Sequence, residues 1–144
     1  MGKRPDKEWK AGPDNLWALR DGEYLLIECK SEVHTDRAEI NKSETGQMND
    51  AVAWFNKNYA GATSKNLMVI PANKMSSATA FAHDARIMRA KELSKLHGNV
   101  RSFFKEFKLV DFRNLSPEAI QKWLGTHDLS TDAIAENYSV SVRM

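Results

Sequence analysis

A single cysteine, Cys29, stands among 144 residues, so no internal disulfide can form and stability must come from an apolar core. The opening run Met-Gly-Lys-Arg-Pro-Asp-Lys-Glu lacks the apolar stretch of a secretory signal, and a reducing cytoplasm is the expected setting. No run approaches the roughly 18 apolar residues of a membrane span. Charge of one sign is also lacking: 21 Lys and Arg face 19 Asp and Glu, a net +2 that does not announce a nucleic-acid binder. There is no Walker-type Gly-Lys-Ser/Thr loop, no Gly-x-Gly-x-x-Gly and no Gly-x-Ser-x-Gly, which leaves ATP hydrolysis, dinucleotide chemistry and serine-hydrolase chemistry without support. His34, His83, His97 and His127 are scattered, without a local pair or a cysteine set, so zinc has none either. What remains is 42% hydrophobic and 28% charged residues, enough for one ordinary core.

Residues 1–12 read as a polar lead-in with Trp9 as its large apolar group. Asn15 to Leu19 and Glu23 to Cys29 are two strand-like runs around Arg20-Asp21-Gly22, a hairpin signal. Tyr24-Leu25-Leu26-Ile27 is apolar on both faces, which predicts a strand covered on both sides. A helical stripe of Met48, Ala51, Val52, Phe55 and Tyr59 predicts a helix from Ser43 to Tyr59, with Ser43 or Thr45 as its cap. Asn66 to Ile70 then reads as a buried strand stopped by Pro71, completing a β-α-β unit. Ala85 to Met88 is a further strand, Ala90 to Phe107 a helix, Ser116-Pro117-Glu118 opens another that ends at Gly125, Ser130 opens a last one, and Tyr138 to Val142 alternates like an edge strand. Trp17, Trp54, Phe55, Phe103, Phe104 and Phe107 read as core, and Lys42 and Glu44 as a solvated face. The expected organisation is a lead-in over 1–12, a core over 13–110 and a helical extension over 111–144 packed on that core.

Chemistry concentrates where the apolar strand ends in Glu28-Cys29-Lys30. Period two puts Glu28 and Lys30 on one face, and charges that extend a buried strand need a partner or a metal. Whether Asp14 joins them depends on the turn. A two-residue loop pairs Arg20 with Glu23 and turns Asp14 away from Glu28. A three-residue loop with Gly22 left-handed pairs Leu19 with Glu23 and sets Asp14 opposite Glu28. The second register is the predicted one.

Pro13-Asp14, a hairpin, Glu28-Cys29-Lys30 at the end of its second strand, and then a helix carrying Gln47 together resemble the PD-(D/E)xK nuclease superfamily. The wider pattern Ile40-x-Lys42-x-Glu44-x-x-Gln47, with Trp54-Phe55 further on, is similar to nuclease-like regions fused to bacterial helicase-type proteins. The resemblance implies an α/β, restriction-endonuclease-like fold with a mixed central sheet flanked by helices. It implies metal-dependent hydrolysis of phosphodiester bonds, most naturally in DNA, with RNA left open and a helicase, ATPase or defence protein as fused or separate partner. Under it Asp14 and Glu28 would ligate Mg²⁺ or Mn²⁺ with the Cys29 carbonyl as third oxygen, Lys30 would orient the attacking water, and Gln47 would face the site. For Gln47 a local hydrogen bond in the first helical turn is the other reading. The preceding acid that many members carry has only Glu8 to represent it. A module of the same fold that binds nucleic acid or docks a protein without catalysis is the rival from another class.

Overall fold

The structure, a computed structural model, describes residues 12–30, 34, 36–77 and 79–144. The lead-in with Glu8 and Trp9 thus lies outside the described residues. In chain order come β1 (Asn15–Arg20), β2 (Glu23–Cys29), β3 (Glu39–Ile40), α1 (Lys42–Asn58), β4 (Thr63–Val69), β5 (Lys74–Met75), β6 (Ala85–Met88), α2 (Ala90–Phe107), a 3₁₀ turn (Phe112–Asn114), α3 (Pro117–Thr126), α4 (Thr131–Glu136) and β7 (Val140–Ser141). The class is mixed α/β, as expected.

Five strands form one mixed sheet in the order β1-β2-β4-β6-β7, and β3 and β5 pair as a small separate ladder. β1 runs antiparallel to β2, β2 and β4 are parallel across α1, β4 and β6 are parallel, and β7 returns antiparallel on β6. The predicted β-α-β unit is therefore β2-α1-β4. The two-residue strands β3 and β5 escaped sequence reading because so short a ladder leaves no periodic signal.

The hairpin turn departs from both registers weighed above. Arg20 lies opposite Glu23, yet an irregularity at Leu19 shifts the ladder by one residue, so Ala18 meets Tyr24 and Asn15 meets Ile27. Gly22 takes φ +70° while Asp21 keeps a negative φ, so this is not the type I′ loop, which needs both residues left-handed. Continued by one residue, the ladder sets Asp14 against Glu28. The predicted 19-to-23 pairing is corrected, and the juxtaposition it was meant to deliver is kept by the bulge.

β2 is covered on both faces, with Leu25 and Ile27 buried on one and Leu26 and Glu28 on the other. The Leu26 face meets α1, whose Met48, Ala51, Val52 and Phe55 join Leu16, Met68 and Ile87 in the main core cluster. Asn41, not Ser43 or Thr45, caps α1: its side chain accepts from the Glu44 N–H at 3.0 Å, and the Glu44 carboxylate accepts from the Asn41 N–H at 2.9 Å. Glu44 is 7% exposed and pairs bidentately with Arg37, so the solvated face expected there holds for Lys42 alone.

The chain forms two compact units, residues up to Arg89 with Ser139–Met144 and residues Ala90–Tyr138. The division falls before α2, and the last six residues belong with the first unit, where β7 pairs with β6. In the second unit Phe107 stacks on Trp123 with centroids 5.6 Å apart, and Phe103 lies tilted against Trp123 at 4.8 Å. Phe104 is 55% exposed and Trp17 on β1 is 37% exposed, so neither is the core residue it was read to be. Among the described residues, no helix is long and apolar enough to cross a membrane.

Candidate active site

Three elements of sequence meet at one end of the sheet. β2 delivers Glu28 and Lys30 on its α1-facing side, the segment before β1 delivers Asp14, and the second turn of α1 delivers Gln47. All four line a cleft of about 460 Å³ together with Gly12, Cys29, Asp50, Ala51 and Trp54. The residues singled out by sequence are therefore brought together.

Asp14 is fixed by the backbone opposite it, since its Oδ2 accepts the Cys29 N–H at 2.7 Å. This bond satisfies the amide at the point where the ladder ends and orients the carboxylate beside Glu28. Glu28 is 6% exposed, and burial is the largest influence on its carboxyl, pushing it above the ordinary value of 4.5. A hydrogen bond and the charge of Lys30 pull it down, the Asp14 carboxylate pushes it up, and a bond from the Asp14 backbone N–H pulls it down. Lys30 Nζ sits 3.1 Å from Glu28 Oε2 and donates also to Gln47 Oε1. Gln47 thus holds the lysine head rather than only its own helix turn.

Cys29 contributes differently from what its neighbours suggest. Its thiol lies on the opposite face of β2 and is exposed, not buried, and it forms no disulfide. At the site it offers backbone only: the N–H that holds Asp14 and a carbonyl at the same strand end.

Asp50, Trp54 and Gly12 were missed as cleft residues. Gln47, Asp50 and Trp54 recur at three- and four-residue spacing and so share a helix face, a signal hidden because Trp54 was assigned to the core. Gly12 has φ +102°, and a Cβ there would lie 2.8 Å from Trp54 Cδ2. Only glycine lets the backbone pass so close to the indole while taking that conformation. His34 is exposed and is not among the residues lining the cleft.

Asp14, Glu28 and Asp50 bring three carboxylates to the cleft, with Lys30 the one cation bonded to Glu28 among the described residues. That imbalance, and the hard oxygen donors that cause it, fit a small divalent ion. Among the described residues no group of three or more His, Cys, Asp or Glu side chains is arranged to hold a metal. Comparison with known proteins gives no match to a family model, to a curated protein or to a solved structure.

Proposed function

We propose that the chain is a divalent-metal-dependent nuclease that hydrolyses phosphodiester bonds, with DNA as substrate, on a restriction-endonuclease-like fold. The observation that carries this is the convergence of Asp14, Glu28, Lys30 and Gln47 on one open cleft. The order of hairpin, crossover helix and parallel strand supports the fold, and the single cysteine suits a cytoplasmic setting.

Asp14 and Glu28 would hold Mg²⁺ or Mn²⁺, with the Cys29 carbonyl as a further oxygen. When bound, such an ion neutralises charge growing on the phosphate and lowers the pKa of a water. The protein's own groups do the rest. The Cys29 N–H keeps Asp14 turned to the site. Lys30, a compact point charge, orients the attacking water or stabilises the pentacovalent phosphate, and Gln47 fixes where its ammonium stands. Gln47 is in this sense a positioning residue. A helicase or ATPase partner belongs to the same proposal.

The test is cleavage of DNA by the purified chain with Mg²⁺ or Mn²⁺. Cleavage should vanish with a chelator and fall at least about a hundredfold in Asp14→Asn and in Lys30→Ala. A wild type that leaves both DNA and RNA intact contradicts the proposal.

One observation favours a second reading, a non-catalytic module that binds nucleic acid or docks a protein: among the described residues no group of three or more His, Cys, Asp or Glu side chains is arranged to hold a metal. A module of that kind tolerates Glu28→Gln and binds its partner equally well without divalent ions.

A further inference from the structure

The second unit carries a surface that the cleft does not use. Residues 90–110 hold Lys91, Lys95, Arg101, Lys105 and Lys108 against Glu92 and Glu106. At roughly 100° per residue, His97, Arg101, Phe104, Lys105 and Lys108 fall within an arc of about 100°. Lys108 follows the last residue of α2 but stays in phase, its N–H bonding the Phe104 carbonyl at 3.3 Å. These five line a groove of about 760 Å³ whose described lining contains no carboxylate.

The charges of the other sign are directed elsewhere. Glu106 stands on the opposite side of the helix, where its Oε2 accepts from Trp123 Nε1 at 3.1 Å and from His127 Nε2 at 2.8 Å. Lys95, off the groove, is the cation that pairs with an acid, 3.6 Å from Asp128. Arg101, Lys105 and Lys108 have no carboxylate partner among the described residues, and beside them Phe104 is 55% exposed. A face kept only for solvation mixes both signs and has no use for a bare ring. Three like charges at one-turn spacing with an aromatic between them match a flexible strand that carries phosphates at intervals and flat bases beside them.

We propose that this groove seats single-stranded DNA, with phosphates on Arg101, Lys105 and Lys108 and a base stacked on Phe104. It rests on the nuclease reading for its role and names the form in which that reading's substrate is held.

The test is fluorescence anisotropy of a labelled oligothymidylate with the full chain in EDTA, across a salt series. EDTA suppresses cleavage, so binding is read apart from the cleft. Wild type should bind, and Arg101→Gln/Lys105→Gln/Lys108→Gln should lose at least about tenfold in affinity while the slope of log K against log salt falls by about 2, near 0.7 per lost phosphate contact. Phe104→Leu keeps the bulk without the flat ring and should weaken binding about fivefold with the slope unchanged. No binding by wild type, or a triple variant with wild-type affinity and slope, overturns the proposal. So does groove-dependent binding to phosphatidylserine vesicles without binding to the oligonucleotide, which would make the surface a membrane contact. A wild type that binds through the groove but cuts nothing overturns the nuclease reading and leaves the groove standing.

Discussion

Glu28 holds its carboxylate at 6% exposure, and burial makes that group a weaker acid than in the unfolded chain. Because the folded carboxyl binds its proton more tightly, its contribution to stability is complete below the ordinary value of 4.5 and is lost as pH rises through the folded value. Glu28→Gln should therefore melt a few degrees above wild type at pH 8, with the gap closing toward pH 4, while cleavage disappears. A gap independent of pH would show that the ionisation of Glu28 is not its source, and a variant less stable than wild type at pH 8 would show that Lys30 outweighs burial. Lys30→Ala moves the other way. It leaves Glu28 without its cation, so urea denaturation should show a loss of about 1–3 kcal/mol at pH 8 that shrinks as the pH falls and Glu28 takes up a proton. At this scale the sequence was legible where chemistry is written in residue type: Asp14, Glu28 and Lys30 stand out as charges at the end of an apolar strand. Gly12 and Asp50 were not, since their part comes from what lies across from them.

At the scale of elements, two devices place the site, and neither depends on its chemistry. The first is the capping box of α1, where Glu44 closes the helix start and also pairs with Arg37. Glu44→Ala removes both and should cost about 2 kcal/mol in urea denaturation, whereas Glu44→Gln retains the cap and should recover roughly half of that. Equal losses would mean that the ion pair alone matters. The second is the close passage of Gly12 over Trp54. Gly12→Ala meets both a positive φ and a 2.8 Å contact, so it should destabilise by about 1–3 kcal/mol and, by displacing the segment that carries Asp14, reduce cleavage as well. The strands and helices that repeat over several residues were readable, β2, α1, β6 and α2 among them. The bulge at Leu19 was not, because Asp-Gly suits more than one turn and only the three-dimensional ladder selects between them. Asn41 caps α1 in place of the hydroxyls that follow it, and Asn-x-x-Glu is itself a capping sequence.

Across the whole molecule, burial is distributed unevenly. The first unit holds the core built on Leu26, Met68, Phe55 and Ile87, while α2 and α3 have no buried residue among those described. Amide hydrogen exchange should accordingly be slowest in β2 and β4 and markedly faster along α2 and α3, and protection of equal depth in both would contradict this account of where stability resides. The same unevenness explains why Ala90 to Phe107 could be read as a helix while its aromatic stripe was misread as core: periodicity reports that a face is apolar, not how deeply it is covered. Fold class followed from the alternation of strands and helices. The proposed function rests on one cleft, and the most direct measurement there is anomalous scattering from a crystal of the chain soaked in Mn²⁺. The account predicts a single ion within about 2.2 Å of oxygens from both Asp14 and Glu28, absent in Asp14→Asn. Manganese that binds elsewhere, or nowhere, would contradict it.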